Sequence, residues 1–150
     1  MNLRIEPVDA ANREAVLSLR PATGQEGFVE TVAECLAEAR SQSAWRPVAI
    51  LCGEEVVGFA MYGFFAGYAP AGRVWMDRLL IGDKHQGKGY GRAAMRLLIE
   101  RLAQEYSRGE VYLSVVEGNA AALALYASLG FAPNGERDVH GEKVMVLIPQ

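Results

Sequence analysis

The chain has 150 residues, of which 51% are hydrophobic and 22% are charged, and its formal net charge is −3 at pH 7. This length and composition predict one folded domain over residues 1–150 and argue against a disordered chain. The acidic balance argues against a nucleic-acid partner, because proteins that bind nucleic acids usually carry a basic face.

No segment of the sequence is predicted to cross a membrane. The longest stretch without charge, residues 56–72, is interrupted by four glycines and Pro70, and it is shorter than the roughly 20 apolar residues that a bilayer requires. The first ten residues contain no apolar signal segment. Cys35 and Cys52 stand in apolar contexts without zinc or haem spacing, so we expect a cytoplasmic protein without a metal.

The first half of the chain is predicted to contain three strands and two helices. Apolar periodicity predicts a strand at residues 2–8, a short helix at 12–19, a loop at 21–27 and a second helix at 28–40. Two further strands, at 47–52 and 56–65, are joined by a Gly-Glu-Glu sequence that is typical of a hairpin.

The second half is predicted to continue with a central strand at residues 73–81 and a long helix at 89–106. A strand at 110–117 and a helix at 120–129 follow, with Asn119 as the predicted N-cap. A hairpin of strands 131–139 and 143–148 ends the pattern. This order predicts an α+β fold, a mixed sheet with helices on both faces.

The most informative segment lies between the central strand and the long helix. Gly87, Gly89 and Gly91 alternate there, and glycines let backbone N–H groups turn toward an anion at the positive end of a helix. A nucleotide P-loop is excluded, because the position that must be Ser or Thr for Mg²⁺ is Gly89. A dinucleotide fold is excluded as well, because the third glycine of G-x-G-x-x-G is replaced by Arg92.

This turn resembles motif A of the GCN5-related N-acetyltransferases (the GNAT family), Gln/Arg-x-x-Gly-x-Gly/Ala, which stands here as QGKGYG at residues 86–91. Residues 119–126, NAAALALY, followed by Gly130-Phe131, resemble the family's Asn-x6-Tyr…Gly-Phe signature. Residues 57–63, 72–78 and 141–146 are similar to segments of the bacterial spermine/spermidine (diamine) N-acetyltransferases.

The resemblance implies the GNAT fold, a mixed sheet of about seven strands flanked by four helices and splayed between strands 4 and 5. It also implies acetyl-CoA as co-substrate. The coenzyme diphosphate would lie on the amides of residues 87–92, and the pantetheine arm would pair with the backbone of strand 4. The predicted coenzyme-binding residues are Leu79, Ile81, Gln86, Gly87, Lys88, Gly89, Tyr90, Gly91, Arg92 and Asn119.

The same resemblance implies direct transfer of the acetyl group to an amine. Tyr126 is the expected general acid for the departing thiolate. Asp77 is the expected base that removes the proton of the amine, with Glu117 as its rival. Asp77 is also expected on the same strand face as Trp75 and Leu79, since side chains alternate along a strand.

The predicted acceptor is a small polycationic amine, a polyamine or diamine. Glutamates at positions 26, 30, 34 and 38 recur at helical spacing, and no Lys or Arg lies between them. This pattern indicates either a solvated helix face or a binding surface for a polycation. Glu30, Glu34, Trp75 and Glu117 are the predicted acceptor-binding residues, with Tyr62 and Phe65 as further aromatic candidates. An aminoglycoside, an amino-terminal residue or a non-catalytic acyl-CoA sensor remain alternatives, and a homodimer is one option for the assembly.

Overall fold

A computed structural model describes residues 2–21, 31–68 and 71–148. Within these ranges seven strands form one sheet in the order β1-β2-β3-β4-β5-β7-β6. The strands are β1 (Leu3–Pro7), β2 (Trp45–Cys52), β3 (Glu55–Phe65), β4 (Arg73–Ile81), β5 (Val111–Val115), β6 (Ala132–Arg137) and β7 (Lys143–Leu147). The helices are α1 (Arg13–Leu17), α2 (Val32–Ser41), α3 (Tyr90–Tyr106) and α4 (Ala120–Ser128). The predicted α+β architecture is therefore confirmed.

The sheet opens between β4 and β5, as the resemblance implied. These two strands run parallel and pair only at Trp75 with Tyr112 and at Met76 with Leu113. Beyond Met76, β4 continues to Ile81 along β3, while β5 ends at Val115. The remaining part of β4 therefore has one backbone edge that β5 does not use.

A β-bulge lies at the point where the two strands separate. Met76 is opposite Tyr62 of β3, whereas Arg78 is opposite Met61. Asp77 is therefore an extra residue in β4, which bends the strand and shifts its side-chain alternation by one position.

The bulge makes one expectation about β4 wrong. Val74 lies before the bulge and Leu79 lies after it, yet both pack with the side chains of α3. Trp75, the neighbour of Val74, therefore points to the other face of the sheet. Cys35 of α2 contacts Asp77, so Asp77 shares the face of Trp75 as expected. Leu79 lies on the opposite face, because the extra residue interrupts the period of two.

Helices cover both faces of the sheet. On one face α3 contributes the buried residues Ala94, Met95, Leu98 and Leu102, which pack on strand residues that include Val48, Ile50, Val74, Val111 and Leu113. On the other face α1 and α2 contribute Val16, Val32, Cys35 and Leu36, which pack on Ala49, Phe59, Met61 and Leu80. Each helix thus buries one apolar stripe, which is what its helical periodicity predicts.

Helix α2 begins later than predicted. Thr31 is its N-cap in extended conformation (φ −72°, ψ 159°), its side chain accepts from Glu34 N–H, and the Glu34 carboxylate accepts from Thr31 N–H. This capping box fixes the helix start at Val32. Helix α2 therefore starts at Val32 and not at the predicted residue 28. Glu26 and Glu30 lie outside the described residues.

The other predicted boundaries differ from the structure by a few residues. A 3-10 turn at Asp83–His85 precedes the glycine turn. In the described part of the chain, no helix has both the length and the apolar character needed to span a membrane.

Candidate active site

The glycine turn ends on an open helix terminus. Gly87 and Gly89 have φ of +76° and +81°, the left-handed region that favours glycine. Gly89 is the N-cap of α3 and forms no side-chain cap, and the first helical bond joins Ala93 N–H to the Gly89 carbonyl. The N–H groups of residues 90–92 therefore have no partner within the helix, and they can bind an anion.

The space beside this turn is also open. A methyl group built on Gly87 meets no atom within 4 Å, and one on Gly91 reaches the Leu125 side chain of α4 only at 3.7 Å. The turn can therefore accept a group that approaches its backbone closely. This property fits the diphosphate that the sequence predicts.

The polar side chains of this segment already have structural contacts. Gln86 Nε2 donates to the Ile81 carbonyl at 2.7 Å, and Arg92 Nη1 donates to Ser128 Oγ at 2.7 Å, which links α3 to α4. The Tyr90 hydroxyl donates to Cys52 Sγ at 3.7 Å. Lys88 is exposed. The groups of this turn that can still meet an anion are therefore the backbone N–H groups and the exposed Lys88.

Helix α4 borders the opening. Asn119 is its N-cap, as predicted, and Oδ1 accepts from Ala122 N–H at 3.2 Å. The helix consists mainly of alanines and leucines around Tyr126, which is half-buried, and none of its residues is fully buried. An apolar helix without a fully buried residue leaves apolar surface beside the glycine turn, where an organic ligand can cover it.

Tyr126 lies on the inner side of α4, with its ring 5.8 Å from that of Phe131. Its hydroxyl forms no hydrogen bond with the described residues. Burial raises the pKa of Tyr126 to about 12, and the positive charge of Arg78 opposes this rise. The phenol is therefore protonated at neutral pH and can act only as a proton donor.

Arg78 is a residue that the sequence reasoning did not assign to the site. It follows the bulge and is only 5% exposed. Its positive charge opposes the rise in the pKa of Tyr126 and adds to the lowering of the pKa of Glu34, so it is within electrostatic range of α4 and of the first turn of α2. An arginine within the apolar run VWMDRLLI was the signal that could have indicated it.

The two candidate bases have different surroundings. Asp77 lies at the bulge, and the Cys35 thiol of α2 donates to its Oδ2 at 4.0 Å. Glu117 follows β5, is 68% exposed in its side chain and forms an ion pair with Arg137 at 3.3 Å. Both residues are exposed, but Asp77 lies at the split beside α2, whereas Glu117 lies beyond the end of β5 and pairs with Arg137.

Glu34 is at the first turn of α2. Hydrogen bonds from the backbone N–H and the hydroxyl of Thr31 lower the pKa of Glu34, with a smaller contribution from the charge of Arg78. Its carboxylate is exposed and stays ionised at neutral pH. It can therefore attract a cation while it caps the helix.

Trp75 has other aromatic neighbours than expected. Its ring lies 5.5 Å from those of Tyr68 and Tyr112. Tyr62 is instead buried on the α3 face with its hydroxyl 2.8 Å from Glu105 Oε1, and Phe65 packs 4.6 Å from Trp45. Tyr62 therefore does not group with Trp75. Phe65 lies opposite Arg73 and shares the sheet face of Trp75, but its ring packs on Trp45.

Two further features bear on the choice of site. A cleft of about 800 Å³ lies between α1 and the β2–β3 hairpin, with Asn12, Glu55 and Asp83 in its wall. It contains neither Tyr126 nor Asp77, so the split is the better candidate. No cluster of His, Cys, Asp or Glu that could hold a metal occurs among the residues with described positions.

Comparison with known proteins agrees with this geometry. A sequence model of the acetyltransferase (GNAT) family matches residues 13–131. The chain is 41% identical over 149 residues to the spermine/spermidine N(1)-acetyltransferase of Bacillus subtilis, a match that covers 97% of this chain and 98% of that protein. It is 28% identical over 137 residues to the L-methionine sulfoximine/L-methionine sulfone acetyltransferase of Pseudomonas aeruginosa, with coverage of 91% and 68%.

Solved structures share the fold at low sequence identity. Spermidine N-acetyltransferase from Vibrio cholerae, in complex with CoA and spermine, superposes with a TM-score of 0.72 at 16% identity, covering 97% of this chain and 94% of that one. PaiA N-acetyltransferase from Thermoplasma acidophilum, in complex with coenzyme A, gives 0.70 at 16% identity, with coverage of 99% and 100%. From the family match and the near full-length relative, this chain belongs to the acetyltransferase (GNAT) family.

Proposed function

We propose that the protein transfers an acetyl group from acetyl-CoA to a primary amine of a polyamine or diamine such as spermine or spermidine. The observation that carries the acceptor is the 41% identity with the Bacillus subtilis spermine/spermidine N(1)-acetyltransferase over 97% of the chain. The opening between β4 and β5, with the glycine turn at its end, supports the transfer chemistry.

The co-substrate would be held mainly by backbone groups. The N–H groups of residues 87–92 would bind its diphosphate, and the edge of β4 at Leu79 and Ile81 would pair with its pantetheine arm. The Ile81 carbonyl already accepts from Gln86, so Leu79 has the freer backbone edge. Asn119 would also contact the coenzyme, as the resemblance implies, in addition to capping α4.

Acetyl-CoA supplies an activated thioester, and the protein has to move two protons. A primary ammonium has a reference pKa of about 10.4, so a base must remove its proton at neutral pH. Asp77 would accept this proton at the split. The departing CoA thiolate must take up a proton, since the reference pKa of a thiol is about 8.5. Tyr126 would supply that proton.

The amine attacks directly, without an acyl-enzyme. Cys35 is fully buried and its thiol donates to Asp77, while Cys52 accepts from Tyr90 on the hairpin side of the turn. The Cys35 thiol is enclosed by the core behind Asp77, and the Cys52 thiol lies at the end of β2, so neither is proposed as a nucleophile. The two cysteines form no disulfide, which supports our proposal of a cytoplasmic protein.

Acidic residues are proposed to select a cationic acceptor. Glu34 lies near the charge of Arg78, and Glu117 lies at the end of β5. Glu30 stays a prediction from the sequence. These carboxylates would attract a substrate with several ammonium groups, while Arg137 and Arg78 offset part of the charge of Glu117 and Glu34.

The test is release of CoA thiol from acetyl-CoA with spermine, spermidine, putrescine, an aminoglycoside and L-methionine sulfone as separate acceptors. We expect turnover with the polyamines at lower KM than with the other two. If the protein prefers the aminoglycoside or the sulfone, that compound would replace the polyamine as the proposed acceptor. Tight acetyl-CoA binding without thiol release for any amine would favour a non-catalytic sensor.

A further inference from the structure

Arg73, the first residue of β4, is surrounded by aromatic rings. Its Cζ lies 4.2 Å from the centre of the Tyr112 ring, 5.3 Å from that of Tyr68 and 5.9 Å from that of Trp75. Its Nη1 and Nη2 donate to the two carboxylate oxygens of Glu136 at 2.8 and 2.9 Å. We call Tyr68, Trp75, Tyr112 and Glu136 the aromatic cage.

The cage has the chemistry of an alkylammonium site. Several ring faces within about 6 Å of a cation attract it, and such cages recognise organic ammonium groups. The Arg73 Nε and the Trp75 Nε1 are buried and have no hydrogen-bond partner among the described residues. The guanidinium therefore lies in the cage although its Nε–H donor is unpaired. An ammonium ion could occupy the same position.

The cage lies on the acceptor side of the sheet. Val74 and Met76 pack toward α3, as do Leu113 and Val111, so the side chains between them point to the opposite face. The α2 residue Cys35 contacts Asp77 from that face. Strand residues rise by about 3.3 Å each, which places Trp75 roughly 7 Å along β4 from Asp77.

The Trp75 wall of the cage is thus within reach of a diamine whose reacting nitrogen lies at Asp77. Two nitrogens joined by four carbons are roughly 6 Å apart when extended, from C–C and C–N bonds of about 1.5 Å. An acceptor with its reacting nitrogen at Asp77 can therefore direct its next ammonium toward the cage. In the present structure that ammonium meets the cation of Arg73.

We propose that the aromatic cage is an ammonium-binding site that Arg73 fills, and that Arg73 thereby limits which diamines bind along this direction of the acceptor cleft. The inference rests on the proposed amine acceptor. Removing the guanidinium leaves three ring faces and the uncompensated charge of Glu136. The cage then changes from neutral to negative and becomes available to a second ammonium.

The kinetic test uses Arg73→Met, which keeps an unbranched apolar stem, and Arg73→Lys, which keeps the cation. For Arg73→Met we expect the KM for putrescine to fall about tenfold, which is the effect of one desolvated cation–π contact. The KM for n-pentylamine, which lacks the second nitrogen, and for acetyl-CoA should not change. Arg73→Lys should behave as the parent, and Arg73→Met with Glu136→Gln should lose the gain.

A binding test separates this inference from the proposed function. Calorimetric titration with tetramethylammonium chloride should detect binding to Arg73→Met and none to the parent, to Arg73→Lys or to Arg96→Met, which removes an exposed charge on α3. If tetramethylammonium binds to Arg73→Met but the protein acetylates no polyamine, the cage is retained as an ammonium site and the proposed polyamine acceptor is rejected. Absence of binding to a folded Arg73→Met, or an equal fall in KM for n-pentylamine, would overturn the inference.

Discussion

The Cys35 thiol donates to the Asp77 carboxylate across 4.0 Å, which connects the buried face of α2 with the bulge of β4. Cys35 is fully buried, so one side of this carboxylate contacts the core while the other faces the split. Arg78 follows in the chain and is buried as well. The bulge thus places a carboxylate and a cation at the position where the sheet opens.

Replacing Asp77 by Asn should remove the proposed base. We expect kcat/KM for spermidine at pH 7.5 to fall by about 100-fold or more, within the range for loss of a general base. Activity should recover as the pH rises toward the ammonium pKa of about 10.4, because more of the amine is then already deprotonated. The pH profile of thiol release measures both effects.

Glu117→Gln provides the comparison for Asp77. Glu117 is exposed and paired with Arg137, so we expect its loss to cost less than about tenfold, the effect of a surface charge. A larger loss in Glu117→Gln than in Asp77→Asn would transfer the role of base to Glu117.

Tyr126→Phe should lower turnover more than binding. The variant keeps the ring contact with Phe131, which lies 5.8 Å away, but lacks the proton. We expect kcat to fall by about 10- to 100-fold, a modest acid-catalysis effect, while the Kd for CoA stays within about twofold. Steady-state kinetics and calorimetry with CoA measure these quantities. Parental kcat in a folded variant would leave the phenol without a catalytic role.

Much of the fold could be predicted from the sequence, because its signals are local. The predicted strand at 73–81 is β4, and Asn119 caps α4 as expected. The glycine turn was also predictable, since positive φ at Gly87 and Gly89 follows from their type and from the helix after them. These features depend on neighbours in the chain.

The features that were missed depend on contacts between elements. The bulge at Asp77 follows from the register between β3 and β4, which periodicity within one strand does not contain. The cage joins Tyr68, Trp75 and Tyr112 from three separate segments. The start of α2 is different, because the Thr-x-x-Glu pattern at 31–34 is readable in the sequence.

Glu34→Gln should separate charge from capping. A glutamine at this position can still accept the Thr31 N–H, because either residue completes a capping box. The melting temperature should therefore change little, while the KM for spermine rises about two- to fivefold through loss of one exposed charge. Glu14→Gln, an exposed glutamate in the first turn of α1, is the matched control. If the KM for spermine rises equally in both variants, the effect reflects the overall charge of the protein and not a contact of Glu34 with the acceptor.

Two half-buried tyrosines, Tyr106 and Tyr126, should make the protein sensitive to alkali. Burial raises the pKa of Tyr106 and of Tyr126 to about 12, whereas the unfolded chain titrates near 10. Because the folded pKa is higher, the stabilisation is complete below pH 10 and is lost as the pH rises from 10 to 12.

Chemical denaturation between pH 8 and 11.5 measures this loss. In Tyr126→Phe the decline above pH 10 should be smaller than in the parent, by at most roughly 2 kcal/mol at pH 11.5. Tyr68→Phe, which changes a tyrosine that is 46% exposed, should decline as the parent does. Identical slopes in Tyr126→Phe and the parent would contradict the buried-phenol assignment.

Gly87→Ala tests the glycine turn against a control with the same backbone strain. Gly87 and Gly53 have φ of +76° and +63°, and a methyl group on either meets no atom within 4 Å. Each alanine therefore costs only its left-handed conformation, about 1–2 kcal/mol of unfolding free energy. At Gly87 the methyl also enters the space that we assign to the coenzyme diphosphate. We expect both variants to lose similar stability, while only Gly87→Ala raises the KM for acetyl-CoA and the Kd for CoA, by about tenfold. If both variants bind CoA as the parent does, the diphosphate does not lie on this turn, since a methyl group there could not be accommodated without cost.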